Sequence, residues 1–294
     1  MNLTNNRFLK PNFLHLAQYP APLRLGIFLL VLLVLWLPRA ALLYLLVSSS
    51  YKGVNAAASN LITILTMGLL FADFLFLLRL WGDKVYQKSH LIKSYGLERT
   101  QKNGRELIIG LSIGLLLTLS LFGLEGQLGW VVWQRSSLFL PQLILEGLLS
   151  ALGVGLAEEL VFRGWLLSEL QQDYHPRVAM WLSATIFAVA HFIKPLPEII
   201  RTFPAFPGLL LLGLTLVWAK KAHRGRLGTS IGLHAGLVWG YYIINVGKMT
   251  QYSGQVPDWI TGVDQNPLAG ITGLVFLSAI AFWMRRRIRK VVFE

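Results

Sequence analysis

Residues 25–47 read LGIFLLVLLVLWLPRAALLYLLV, an apolar run in which only Arg39 is charged. A helix crosses about 30 Å of hydrocarbon in roughly 20 residues, so this run is long enough to span a bilayer. Backbone amides and carbonyls find no water there, so a spanning segment must be a helix or part of a closed barrel. Alternating ten-residue segments, the mark of a barrel strand, are absent from the chain. Working outward, similar runs fall at 59–81, 106–124, 140–162, 178–193, 208–222, 228–247 and 268–284. The fold class expected is therefore all-α: a polytopic membrane protein, a bundle of about eight transmembrane helices. Residues 1–294 read as a single membrane-embedded domain, since no linker is long enough to separate a second one. Pro38 removes a backbone donor inside the first run and predicts a kink there. The helix-compatible stretch 138–171 exceeds one perpendicular crossing, which predicts tilt, a break near Pro141, or extension beyond the membrane.

Composition agrees with this reading. Apolar residues make up 54% of the chain and charged residues 14%, against about 25% charged in soluble domains. The net charge of +13 does not point to nucleic acid, because the basic residues sit in short loops rather than on one soluble face. Arg7, Lys10 and Arg24 begin one set, followed by Arg79, Lys84, Lys88, Lys93, Arg99, Lys102 and Arg105. Arg163, Arg177, Lys220, Lys221, Arg224, Arg226, Arg285, Arg286, Arg287, Arg289 and Lys290 complete it. These are 21 of the 27 lysines and arginines, whereas the alternate loops hold only Lys52, Arg135, Lys194, Arg201 and Lys248. The asymmetry predicts both termini on the cytoplasmic side, with anionic lipid headgroups as the partner of the basic loops. The absence of cysteine excludes disulfides, thiolate metal sites and cysteine nucleophiles. Residues 1–24 lack an apolar core followed by a small-residue cleavage site, so the first span is expected to serve as its own insertion signal. The compact chain reads as a multi-pass protein of a prokaryotic plasma membrane.

Ionisable side chains inside apolar runs need a reason, because each costs about 2.5–3.5 kcal/mol on insertion scales. The densest cluster is Glu158-Glu159-Leu160-Val161-Phe162-Arg163. Glu159 and Arg163 are four apart, with the acid N-terminal, which favours an intrahelical ion pair. Glu158 lies about 100° round the helix from Glu159, so it must face another helix or a wet cavity. His191, one turn after Phe187, and His234, flanked by Gly232 and Gly236, lie in two other runs. Counting residues from the expected cytoplasmic ends puts Glu158 and His191 at similar depth and His234 shallower. A lone histidine in an apolar helix usually serves packing, but two histidines and an unpaired glutamate from three helices suit hydrolysis. A carboxylate held out of water becomes a usable base near neutral pH. One imidazole can then orient the attacking water, and another can donate to the oxyanion on a peptide carbonyl.

Glu-Glu-x-x-x-Arg, then Phe-x-x-x-His, then a histidine in a late run resembles the CAAX-prenyl-protease and bacteriocin-processing family of intramembrane peptidases. The ordered motifs run from Glu158 to Val238, and the eight-span layout is similar to that of type II CAAX prenyl endopeptidases. The resemblance implies an intramembrane endopeptidase acting on a membrane-associated or lipidated protein or peptide. It implies Glu158 as the catalytic glutamate, Glu159 and Arg163 as its support, His191 positioning water, and His234 contributing to the oxyanion hole. Family members commonly carry asparagine four residues after that histidine; here Val238 stands there and cannot hydrogen bond. Asn245 lies three turns further along, leaving Ser230, Thr229 or Trp239 as replacement donors.

Several alternatives stay open on the sequence alone. His-Glu-x-x-His, the usual zinc-protease helix, is absent, and no cofactor is expected; zinc on Glu158, His191 and His234 is the alternative. Gly110-Leu111-Ser112-Ile113-Gly114 matches Gly-x-Ser-x-Gly, but that motif needs a strand-to-helix turn, and here small residues serve helix packing better. Asp73 and Glu146 read equally as stabilisers, lipid contacts or parts of a substrate path. A non-proteolytic scaffold that binds or regulates a partner is the different-class reading. A proton-coupled transporter ranks behind it, for want of inverted-repeat symmetry.

Overall fold

The computed structural model describes residues 13–51 and 55–293. Arg7, Lys10 and Lys52 of the charge pattern lie outside the described residues, as do the side chains of Arg289 and Lys290. Eight long helices occupy the positions of the eight apolar runs: α1 Ala21–Ser50, α2 Ala56–Trp81, α3 Gln101–Gln127, α4 Leu140–Glu159, α5 Pro176–Ala190, α6 Phe206–Ala222, α7 Gly228–Val246 and α8 Ile271–Phe293. Among the described residues, five continuous helical segments are long and apolar enough to cross a membrane: Ala21–Ser50, Ala57–Tyr86, Gln101–Gln127, Leu140–Asp173 and Leu196–Ala222. The protein is thus a predominantly helical, multi-pass membrane protein. Its described contacts group into two units, Met1–Ser94 and Tyr95–Glu294.

In the first unit α1 begins after Pro20, with proline also in its first turn, and the helix runs on through Pro38. Asn55 caps α2 by accepting from the Ala58 amide at 2.9 Å. The two helices meet through Phe28, whose ring contacts Phe74 and Trp81 edge-on, and through the Trp36 indole, which donates to Thr66 O at 2.9 Å. Arg39 and Asp73 pair at 2.8 Å. That pair accounts for two of the ionisable residues inside apolar runs.

In the second unit α3 and α7 pack along almost their whole length, and glycine makes this feasible. A methyl group at Gly232 would lie 2.0 Å from Leu107 O, and one at Gly236 would lie 2.2 Å from Leu111 O. Gly110 and Gly114 face the same seam, so the Gly-x-Ser-x-Gly stretch is a close-packing surface. Ser112 sits inside α3, exposed, donating to Ile108 O at 3.0 Å; it is no strand-to-helix nucleophile. Phe187, Leu209, Leu212, Leu216, Leu233, Leu277 and Met284 form the core between α5, α6, α7 and α8.

Two knots of contacts join the loops at the two ends of α3 and α7. At one end the Leu227 amide donates to Gly96 O at 2.9 Å, and the Gly228 amide to Asn103 Oδ1 at 2.7 Å. Arg226 there engages both carboxylate oxygens of Glu106, and that hydrogen bonding is the main cause raising its pKa above the ordinary value. At the other end β1 (Val131–Trp133) and β2 (Thr250–Tyr252) form an antiparallel ribbon in which Val131 pairs with Tyr252. This ribbon departs from the all-α expectation. Its β-branched and aromatic residues favour extended pairing once two loops on the same face meet.

The structure also resolves two boundaries that the sequence left open. Pro141 does not break the long helix; it lies in the first turn of α4, where a missing N–H is harmless. The irregularity falls at Leu160–Leu166, a wide π turn, after which Leu167–Asp173 resumes as α-helix. And α5 stops at Ala190 rather than 193, leaving His191 as its C-cap. Pro195 then keeps Lys194 out of the helical region and precedes a short helix, Leu196–Thr202.

Candidate active site

The site is built where α4 widens. Glu159, the last residue of α4, is fully buried, as is Arg163 within the wide turn. The Arg163 guanidinium donates from Nη1 to Glu159 Oε1 at 2.8 Å and from Nη2 to Gly213 O on α6 at 3.3 Å. Its flat face lies 4.0 Å from the centre of the Phe187 ring, a cation–π contact strengthened by the lack of water. Phe187 also meets Phe162, His191 and His234 edge-on. The expected Glu159–Arg163 ion pair is therefore present, and one aromatic ring organises everything around it.

Glu158 turns the other way, as the helix geometry requires. Its Oε2 lies 3.9 Å from His191 Nε2 and 3.8 Å from His234 Nε2. That oxygen is shielded and has no hydrogen-bond partner among the described residues. Separations just under 4 Å are too long for direct hydrogen bonds and short enough for a single water to bridge. The carboxylate is 31% exposed and His191 33%, whereas His234 is 5% exposed. One side of this triangle thus opens to its surroundings while the other is closed. The sequence-based expectation that His234 would sit shallower than Glu158 is overturned. That count took the helix ends to lie in one plane, but α7 begins at Gly228 and the α4 helix continues to Asp173. The ends are staggered by about nine residues, or roughly 13 Å.

The hydrogen bonds define which ring nitrogen carries a proton. His191 Nδ1 lies 2.8 Å from Phe187 O, and a carbonyl only accepts, so Nδ1 is protonated and Nε2 of neutral His191 is an acceptor. His234 Nδ1 lies 2.9 Å from Glu159 Oε1, the oxygen that already accepts from Arg163. Nδ1 is the donor there too.

Beside His234 opens an apolar cavity of about 140 Å³, walled by Leu117 and Leu121 of α3, Val238 and Tyr241 of α7, and Phe276 and Leu277 of α8. Val238 and His234 share this wall. Two of the three replacement donors are committed elsewhere: Ser230 Oγ donates to Leu227 O at 3.0 Å, and Trp239 Nε1 to Ile144 O at 2.9 Å. Thr229 lies where α7 meets Gly110, and its buried hydroxyl has no partner among the described residues. No group of three or more histidine, aspartate and glutamate side chains among the described residues is placed to hold a metal ion. Glu146 is exposed and accepts from Gln142 at 2.7 Å. The sequence reading missed Lys220, which it counted as a loop cation. Its Nζ is buried and donates to Arg163 O at 2.7 Å.

The model of one protein family, the type II CAAX prenyl endopeptidase Rce1-like family, matches residues 139–240. Over that segment the chain is similar to this family. The segment runs from the start of α4 through the third turn of α7 and holds Glu158, Glu159, Arg163, His191, His234 and Val238. No curated protein and no solved structure matches the chain.

Proposed function

We propose that the protein is an intramembrane endopeptidase that hydrolyses a peptide bond of a membrane-associated or lipidated substrate, using water activated by Glu158. The observation that carries this reading is the unpartnered Oε2 of Glu158 within one water's reach of two imidazole Nε2 atoms. A water there gives one proton to Glu158 and is oriented by a hydrogen bond to His191 Nε2. Its oxygen attacks the scissile carbonyl carbon, and the carbonyl electron pair moves onto oxygen. His234 stabilises that oxyanion from Nε2, which requires its imidazolium form, because Nδ1 already donates to Glu159. Collapse breaks the C–N bond, and the proton held on Glu158 passes to the leaving amine. The reaction as proposed needs no metal.

The cavity beside His234 suits an apolar part of such a substrate. Its size is close to the roughly 150 Å³ of an engineered cavity that holds benzene. It therefore fits one apolar side chain or a lipid chain end rather than a whole prenyl group. The basic asymmetry supports eight spans with both termini cytoplasmic, and a prokaryotic plasma membrane is the location this reading proposes. Val238, together with the commitment of Ser230 and Trp239 to backbone carbonyls, favours a second reading, a non-proteolytic scaffold.

Cleavage of fluorogenic peptides, farnesylated and unmodified, by wild type and Glu158→Gln in detergent separates the two. Hydrolysis by wild type, lost in Glu158→Gln and retained after exhaustive chelation, is expected. Equal rates in the two proteins refute the mechanism. Loss on chelation, recovered by added zinc, would make a metal-bound water the nucleophile.

A further inference from the structure

The wide turn at Leu160–Leu166 carries a cost in backbone hydrogen bonding. Within it the Leu167 amide reaches back five residues, to Phe162 O. From Leu167 the chain is α-helical again, so the Ser168 amide, reaching back four, falls on Gly164. The count passes over one carbonyl, that of Arg163, and a buried carbonyl in a membrane protein has no water to turn to. The donor that reaches it is a side chain from another helix: Lys220 Nζ of α6, 2.7 Å away. Ser183 Oγ of α5 reinforces the same turn by donating to Phe162 O at 3.0 Å.

We infer that Lys220 is a positioning residue, whose ammonium replaces the amide donor lost at the wide turn and so holds Arg163, Glu159 and His234 in register. The chain of contacts is short. Lys220 grips Arg163 O, Arg163 Nη1 grips Glu159 Oε1, and the same oxygen grips His234 Nδ1. His234 then presents Nε2 toward Glu158. Lys220 also supplies a second positive charge for a cluster with two carboxylates, Glu158 and Glu159, and otherwise one fixed cation, Arg163. A lysine 9% exposed is strongly disfavoured in lipid unless its charge and donors are used, and here both are. Only the kinetic arm of the test rests on the hydrolytic reading.

Histidine-selective ¹⁵N NMR of the full chain in detergent, with the His234 signal assigned by His234→Ala, reads the Nδ1–H directly. In Lys220→Met that signal is expected to shift or broaden, and in Lys220→Arg, which keeps a charged donor, to return. Lys220→Gln, whose amide is one atom shorter, is the second variant if the methionine form does not fold; its signal is expected to shift part-way. An unchanged His234 signal in Lys220→Met or Lys220→Gln overturns the inference, whether or not any peptide is hydrolysed. In the cleavage assay Lys220→Met should lose kcat by about 100-fold, the scale of a 1 Å misplacement. KM should stay nearly unchanged, and Lys220→Arg should recover most of the loss. A wild-type kcat in Lys220→Met overturns the inference too. Absence of hydrolysis by wild type would remove the functional reading and leave the NMR result to decide.

Discussion

Replacing Glu159 by glutamine removes a charge from a site where Glu159 and Arg163 are both fully buried. Arg163 would keep its contact to Gly213 O and its place over the Phe187 ring. It would lose the partner at 2.8 Å that neutralises it. Breaking a buried pair from one side costs about 3–5 kcal/mol. Glutamine can still offer one carbonyl oxygen to Arg163, which places the expected loss near the lower end, about 3 kcal/mol. At about 2–4 °C per kcal/mol for a unit of this size, the melting midpoint in detergent should fall by roughly 6–12 °C. Glu158→Gln should behave differently. Its carboxylate is 31% exposed and its Oε2 has no hydrogen-bond partner among the described residues, so the loss should stay below about 1 kcal/mol. Thermal or denaturant unfolding of wild type, Glu158→Gln, Glu159→Gln, Arg163→Met and the Glu159→Gln/Arg163→Met double variant provides the measurement. The double variant should be clearly less destabilised than the sum of its singles, since no orphan charge remains. Equal destabilisation by Glu158→Gln and Glu159→Gln, or strict additivity in the cycle, would refute the separation of roles.

Topology is open to a direct check: single cysteines at positions 55, 95, 200 and 255 of this cysteine-free chain should be accessible from the outside, inside, outside and outside respectively. Labelling of position 95 from outside would reverse the assignment. His234→Ala should lower the cleavage rate by about 100–1,000-fold, the usual loss for one oxyanion donor. Val238→Asn places an amide on the cavity wall that it shares with His234 and should leave the rate equal or raise it. A rate lowered by Val238→Asn would argue that the cavity must stay apolar.

The helices were legible because lipid leaves few options: each apolar run had to satisfy its own backbone, and all eight are helical. What stayed hidden depends on partners remote in sequence. The wide turn at Leu160–Leu166 has no local signature, because the Glu159–Arg163 spacing reads the same in an ordinary helix. Its stabilising donor, Lys220, lies 57 residues away. The ribbon likewise pairs segments that only folding brings together, Val131–Trp133 with Thr250–Tyr252.

At the site, residue types and helical angles were enough to separate Glu158 from Glu159, but not to show what Glu159 holds. One oxygen, Oε1, accepts from both Arg163 and His234, which makes Glu159 the joint between the ion pair and the second imidazole. That joint constrains the proposed chemistry. With Nδ1 committed, His234 can donate to an oxyanion only as imidazolium, and its Nε2 already lies 3.8 Å from Glu158. Before attack, that cation faces the Glu158 carboxylate. As Glu158 takes the proton from water, its negative charge disappears and one of equal size develops on the carbonyl oxygen nearby. The reaction then moves one negative charge a short way around a fixed positive neighbour, instead of creating a new ion pair in a medium that solvates ions poorly. On these grounds the Glu159 tether matters for the proposed catalysis as well as for folding: it keeps His234 aimed at both positions of that charge.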